Sequence, residues 1–277
     1  MSHVLSSRSG VVFPVGISGK WAAFTLIWGW LSFSALHAQS PDSVRKVASL
    51  SASVGITNNG ISLVPSFSLE KPAAIFNLSL EKGRFSFDPE LTFSVEGKPW
   101  YALFWFRYKA IDRERFKLRT GAHLGLNYIT ENLPFPRVPS RVILTERYLV
   151  GELAPTYALT PTIGVGAYYL YARAFDLGTT DDMHFLALGA SFSKIPLPGE
   201  LNLAIKPQLF FLDLYGPDGL YVTSTFTLEK KEFPLTLSST FNKVIQTDIP
   251  VGRDFIWNVV LTYTFSKRYL TAEQPGK

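Results

Sequence analysis

The chain has 277 residues, of which 47% are apolar and 14% aromatic. This composition excludes a disordered chain and favours one large folded unit. The absence of cysteine excludes disulfides, thiolate metal sites and a lipid anchor attached to cysteine. The formal net charge of +5 is too small to indicate a nucleic-acid partner.

The first element in chain order is an apolar segment over residues 21–36, which follows Lys20 and precedes small residues around Ala38. This segment is shorter than the roughly 20 apolar residues that span a bilayer as a helix. A basic flank, a short apolar stretch and a small-residue boundary are typical of secretory signals. The sequence therefore predicts a signal peptide over residues 1–38, with a retained membrane anchor as the alternative.

The rest of the chain alternates apolar and polar residues in blocks of roughly 9 to 14 residues that are separated by turn residues. In the block 84–96, apolar residues occupy the odd positions from Phe85 onward, and Ser, Thr, Asp or Glu occupy most even positions. The block 116–128 shows the same alternation in the opposite parity. The last block, 253–266, places Phe255 and Phe265 at the two ends of its apolar face. Each block is predicted to be a strand with one apolar face.

A soluble β-sandwich would show the same alternation, so other features decide between the two folds. The export signal, the strand lengths and the aromatic residues at block ends favour a barrel in a membrane. The sequence therefore predicts an all-β fold, an antiparallel transmembrane β-barrel of about twelve strands, with fourteen as the alternative.

Connection lengths predict the strand boundaries, because membrane barrels have short turns on one side and longer loops on the other. Longer connections near 130–140, 177–182, 215–219 and 244–252 fall on one side when strands are counted back from the last block. This count predicts a barrel over residues 60–266 and a C-terminal tail over 267–277. Residues 39–59 are then a periplasmic lead-in or an extra strand.

From the leader to the terminal strand, the whole-chain pattern resembles the outer-membrane β-barrel proteins of double-membraned bacteria. That class includes porins, small-solute channels and a few enzymes. The resemblance implies an outer-membrane location, contact with outer-membrane lipids, and insertion by the barrel-insertion machinery through the aromatic-ended strand Phe255–Phe265. The chain departs from the class pattern in residues 266–277, which continue beyond that strand.

If the apolar faces meet lipid, the polar faces line the interior, and an acidic strand lies beside two basic ones. The lipid-facing candidates are Phe87, Phe93, Leu118, Leu126, Trp257 and Leu261. The pore-lining candidates are Arg84, Asp88, Glu90, Arg107, Lys109, Arg115, Lys117, Arg119 and His123.

These interior charges have two interpretations. They can pair and close the interior, because unpaired buried charges are costly. Alternatively, surplus Arg and Lys form a net-basic lumen, and the barrel is a passive channel for small anionic solutes. The closed form would be a structural or binding barrel without transport.

No catalytic residue, cofactor or metal site is predicted, and the protein is interpreted as a non-enzyme. Asp181, Asp182 and His184 loosely resemble the Asp-Asp and Asp-His pairs of outer-membrane aspartyl-type proteases. They lie close together in one segment, whereas those families draw their pairs from separate strands. We expect a solvated turn there, with a surface-facing hydrolase as a weak alternative. Ser191 lies on the opposite face from His184 by strand parity, so no lipase is indicated.

Overall fold

The computed structural model describes residues 47–62, 68–135, 138–176 and 182–270. In this part of the chain, twelve antiparallel strands form a closed barrel. Each strand pairs with its neighbours in chain order, and β1 pairs with β12 to close the sheet. The predicted fold class and the count of twelve strands are therefore confirmed.

The bounds of the strands are as follows: β1 (Val47–Thr57), β2 (Ala73–Lys82), β3 (Phe85–Ser94), β4 (Pro99–Asp112), β5 (Phe116–Phe135), β6 (Val138–Ala158), β7 (Ile163–Ala174), β8 (Asp182–Leu197), β9 (Leu201–Leu214), β10 (Asp218–Lys230), β11 (Leu235–Thr247) and β12 (Phe255–Leu270). No helix in the described residues is long and apolar enough to cross a membrane.

The first strand differs from the predicted boundaries. The barrel begins at Val47, inside the segment interpreted as a lead-in or extra strand, and not near Gly60. Residues 60–62 and 68–70 lie instead in the β1–β2 connection, where the Gly60 amide donates to the Lys71 carbonyl at 2.8 Å. The segment 48–57 alternates small polar and apolar residues and has partners on both sides, which explains why it forms the wall.

The last strand is also longer than predicted. It runs through Leu270, because residues 267–270 pair with the start of β1. The signal peptide over 1–38, the adjoining residues 39–46 and the tail residues 271–277 lie outside the described residues.

The two ends of the barrel differ in their connections. At one end the strands are joined by short turns, such as Gly83–Arg84 between β2 and β3, where Gly83 has a φ of 62°. We call this the short-turn end, and the beginning of β1 and the end of β12 lie there. The opposite, long-connection end carries the β1–β2 and β11–β12 connections. The predicted connections near 177–182, 215–219 and 244–252 fall at this end. The predicted connection near 130–140 is wrong for most of its length, because β5 extends to Phe135 and β6 begins at Val138, and their residues pair with each other.

The exterior face is apolar. Along β8, for example, Phe185 is fully buried, whereas Leu186 and Leu188 are 45% and 59% exposed on the opposite face. In β12 the exposed face carries Trp257 and Leu261. The other predicted lipid-facing residues also lie on the exterior face, because side chains alternate between the two faces of each paired strand. These residues are Phe87, Phe93, Leu118 and Leu126. Because an exposed apolar face is unfavourable in water, this exterior is suited to a hydrocarbon environment.

Candidate functional site: the barrel interior

The inward-facing residues divide the barrel interior into three sectors. The charged sector is on β2–β6, the apolar sector is mainly on β6–β10, and the hydroxyl sector is on β10–β12 and β1. Each sector follows from the residue types that alternate with the exterior apolar face in those strands. A solute inside the barrel would meet a different chemistry on each side.

Glu152 on β6 is the centre of the charged sector. Its side chain has no exposed surface, and Oε1 accepts hydrogen bonds from Nε of Arg107 at 3.0 Å and from Nε of Arg119 at 2.9 Å. The second oxygen, Oε2, accepts a hydrogen bond from the Tyr168 hydroxyl at 2.9 Å. A buried carboxylate needs such partners because desolvation is costly for an unpaired charge. Glu152 therefore joins β4, β5 and β7 through one carboxylate.

The network continues onto β2 and β3. Arg107 also donates from Nη1 to Asp88 Oδ2 at 3.1 Å, and Asp88 accepts hydrogen bonds from Ser79 and Ser86. Lys109 forms an ion pair with Glu81. Glu90 accepts a hydrogen bond from the Tyr101 hydroxyl. Most of the charges on this side of the interior are thus paired across neighbouring strands.

The predicted pore-lining residues lie in three places. Asp88, Glu90, Arg107, Lys109 and Arg119 face the interior and belong to the charged sector. His123 also faces inward and is buried against the Trp105 ring at 4.0 Å between centroids.

The remaining three candidates lie near the short-turn end. Lys117 pairs with Asp112 at 3.7 Å, and both side chains are substantially exposed. Arg84 and Arg115 are in turns, where Arg84 donates from Nη1 to the Ala110 carbonyl at 3.4 Å. These three residues border the interior and are not part of the Glu152 network.

The sequence pattern did not predict the apolar sector. Phe185, Leu212 and Tyr221 face inward with no exposed surface, and Phe210 stacks on Tyr221 at 4.8 Å between centroids. Ile249 from the β11–β12 connection is buried against the same group. The other buried members are Trp105, Val150, Leu170, Ala172, Met183 and Ala187. This group fills the interior beside β7–β10 toward the long-connection end.

The hydroxyl sector has a different character. Its inward side chains are small and only partly buried, for example Ser53, Thr225, Thr240 and Thr262. Toward the long-connection end, the beginning of the β1–β2 connection lies against this sector, where Asn258 Nδ2 donates to the carbonyl of Asn59 at 3.3 Å. Small hydroxyl side chains take up little of the interior and offer hydrogen bonds to water or a polar solute.

A cavity of about 540 Å³ lies inside the barrel at the short-turn end, below Tyr168. Part of its wall on β7 and β8 carries no side chain, because Gly164, Gly166 and Gly189 face it. Its polar lining comes from Arg119, Thr156, Ser191, Ser193, Lys206 and Gln208. We call this space the basal pocket. Its size is within the range of small-molecule sites.

The acidic segment near His184 is on the exterior of the barrel. His184 Nδ1 is hydrogen-bonded to the Tyr169 hydroxyl at 2.8 Å, and the Tyr171 hydroxyl donates to Asp182 Oδ1 at 2.8 Å. Asp182 also lies 3.6 Å from Nε of Arg173. Asp181 is outside the described residues. Ser191 faces the interior, so the structure places Ser191 and His184 on opposite faces of β8, as predicted.

The protein is a closed, even-stranded antiparallel barrel with an apolar exterior and a partly polar interior, and the beginning of β1 and the end of β12 both lie at the short-turn end. The chain has the architecture of a bacterial outer-membrane β-barrel. No family model matches the chain, and no curated protein matches it.

Solved structures that align with the backbone of this chain include outer-membrane barrels. An outer membrane channel from Pseudomonas putida F1 aligns with a TM-score of 0.44 and 9% identity, over 81% of this chain and 96% of that chain. The NanC porin aligns with a TM-score of 0.44 and 12% identity, over 80% and 100% of the two chains. The β domain of the Bordetella autotransporter BrkA aligns with a TM-score of 0.46 and 12% identity, over 79% and 98%.

Proposed function

We propose that this protein resides in the outer membrane and forms a narrow passive channel for small anionic solutes. The observation that carries the proposal is the basal pocket, which is lined by Arg119 and Lys206 and lies in the same interior as the partly buried hydroxyl sector. Basic side chains along a polar passage attract anions, and small hydroxyl groups leave space for water. The apolar sector narrows this passage on one side.

The outer-membrane location is supported by the exterior face of the strands. Fractionation should recover the protein with outer-membrane markers, and its detergent-solubilised form should show strong β circular dichroism and heat-dependent gel migration. A soluble periplasmic monomer obtained without detergent would contradict the location.

We further propose that the barrel-insertion machinery recognises β12, whose exterior face carries Phe255, Tyr263 and Phe265.

Single-channel recording in a planar bilayer tests the channel. Stable openings with a reversal potential that indicates anion preference are expected in a KCl gradient. Replacing Arg107, Lys109, Lys117 and Arg119 with Gln should reverse this preference, because Glu81, Asp88 and Glu152 would lose cationic partners. An unchanged reversal potential in folded quadruple variants would mean that these residues do not set selectivity.

A closed structural or binding barrel is the second candidate. It is favoured by the paired charges around Glu152 and by the complete burial of Phe185, Leu212 and Tyr221. An intact barrel with no openings in the bilayer would select this candidate over the channel.

A surface hydrolase has less support, because His184 and Asp182 are held by tyrosine hydroxyls on the exterior face. We propose that the protein is not an enzyme. Hydrolysis that is lost in both Asp182→Asn and His184→Ala would overturn this proposal.

A further inference from the structure

The basal pocket has the properties of a solute-binding site as well as those of a passage. Its two cationic residues come from different strands, Arg119 from β5 and Lys206 from β9, and lie on different sides of the glycine-lined wall. Between them, the wall offers the hydroxyls of Thr156, Ser191 and Ser193. The pocket therefore combines positive charge with several neutral hydrogen-bonding groups.

Lys206 is the cation with the greater freedom to bind an anion. Its side chain is exposed to the interior, and within the described ranges no carboxylate lies within ion-pair distance of it. Arg119 donates to Glu152 through Nε, but 47% of its side chain is still exposed. A guanidinium can offer further N–H groups to a second carboxylate, because its five donors point in different directions.

The wall also explains why a solute fits at this level of the barrel. A Cβ at Gly189 would lie 2.8 Å from Gln208 Cγ and 3.1 Å from the Pro207 carbonyl oxygen. A Cβ at Gly164 would lie 3.0 Å from Ser191 Oγ. Side chains at these positions would displace the groups that line the pocket, so the glycines maintain both its volume and the approach of its hydrogen-bonding residues.

We propose that the basal pocket binds a small hydroxylated carboxylate, with the carboxylate near Lys206 and Arg119 and the hydroxyls hydrogen-bonded to Thr156, Ser191, Ser193 and Gln208. This inference rests on the proposed function for its route of solute entry, and it adds a chemical class of solute. A cavity of about 540 Å³ has room for a molecule the size of a sugar acid.

Isothermal titration calorimetry on the detergent-folded barrel tests the site with three probes. Gluconate has both the carboxylate and the hydroxyls, mannitol has only hydroxyls, and acetate has only the carboxylate. Gluconate should bind at least about tenfold more tightly than either of the others, because only it uses both parts of the pocket. Binding should weaken as NaCl is raised, since salt screens exposed charges. Equal affinity for all three probes, or no measurable binding of gluconate, would overturn the proposal.

Variants place the binding in the pocket. Lys206→Gln removes an exposed charge with no ion pair to break, and it should weaken gluconate binding at least about fivefold. Ser191→Tyr fills the pocket and should abolish binding. Lys82→Gln is the matched control, because Lys82 faces outward at the same end of the barrel. Equal affinity in Lys206→Gln and Lys82→Gln would overturn the proposed site.

The two proposals fail separately. If gluconate binds as predicted but planar bilayers show no openings, the solute class stands and the channel is wrong. If gluconate does not bind but the openings are anion-selective, the channel stands and the solute class is wrong.

Discussion

Arg119 donates from Nε to the Glu152 carboxylate at 2.9 Å, and the Glu152 side chain has no exposed surface. Arg107 approaches the same oxygen at 3.0 Å. One carboxylate therefore offsets two guanidinium groups that come from adjacent strands. Removing its charge would leave both cations close together in the interior.

Glu152→Gln should lower the free energy of unfolding by about 3 kcal/mol, because it removes the negative partner of a buried ion-paired group. Urea unfolding in detergent, followed by tryptophan fluorescence, measures the change. Glu200→Gln is the control, since Glu200 lies 3.9 Å from Lys230 and both are exposed; its effect should stay below about 1 kcal/mol. Equal effects of the two substitutions would argue against a structural role for the Glu152 network.

The wall of the barrel could be predicted from sequence because its exterior is in contact with a single apolar phase. In 84–96 and 255–265 every second residue is apolar, and this alternation indicates both the strand and its outward face. The opposite signs on β3 and β4 also suggested ion pairs between neighbouring strands. Asp88 and Arg107 are such a pair.

The apolar sector could not be predicted by the same reasoning. In the run Leu209–Leu212 both faces of the strand are apolar, so alternation does not separate the interior from the exterior. The Glu152 network was missed because its carboxylate lies on β6, within a block dominated by apolar residues. The start of the barrel was misplaced because the small residues of β1 give a weak pattern, and pairing with β12 depends on residues distant in sequence.

Leu261→Arg tests the exterior face. Leu261 is 50% exposed near the middle of β12, whereas the neighbouring Thr262 faces the interior, close to Gly55. An arginine facing the bilayer midplane should destabilise the barrel folded in vesicles, lowering its free energy of unfolding by about 2 to 4 kcal/mol. Thr262→Arg is the matched control and should cost less, because its charge can reach water in the lumen. If Thr262→Arg were the more damaging change, the assignment of faces in β12 would be reversed.

A disulfide tests the closure of the barrel by β1. Ser53 pairs with Thr264 in the described register, and the chain has no cysteine of its own. Ser53→Cys with Thr264→Cys should therefore cross-link under mild oxidation and alter migration on a non-reducing gel.

The control pair is Ser49→Cys with Thr264→Cys. Ser49 pairs with Arg268, so its distance from Thr264 is about 13 Å along the strand, which is too far for a disulfide. Cross-linking of the control but not of the test pair would indicate a different register. If neither pair formed a disulfide, a barrel that begins near Gly60 would again be the better interpretation.

Phe210→Ala tests whether the apolar sector limits the passage. Phe210 is 1% exposed in the interior, stacks on Tyr221 and packs against Phe185 at 5.0 Å between ring centroids. Removing its ring should open space between β8 and β10 and increase single-channel conductance at least about twofold, because the ring occupies volume at a hydrophobic constriction. The free energy of unfolding of the variant should also fall by about 3 kcal/mol, because removing the ring leaves a cavity and the surrounding side chains lose packing contacts.

Phe211→Ala is the matched control, because Phe211 is 40% exposed on the outer face of the same strand. Its conductance should equal that of the unmodified protein. An equal conductance in Phe210→Ala, measured on molecules shown to be folded by heat-dependent gel migration, would place the narrowest part of the passage elsewhere.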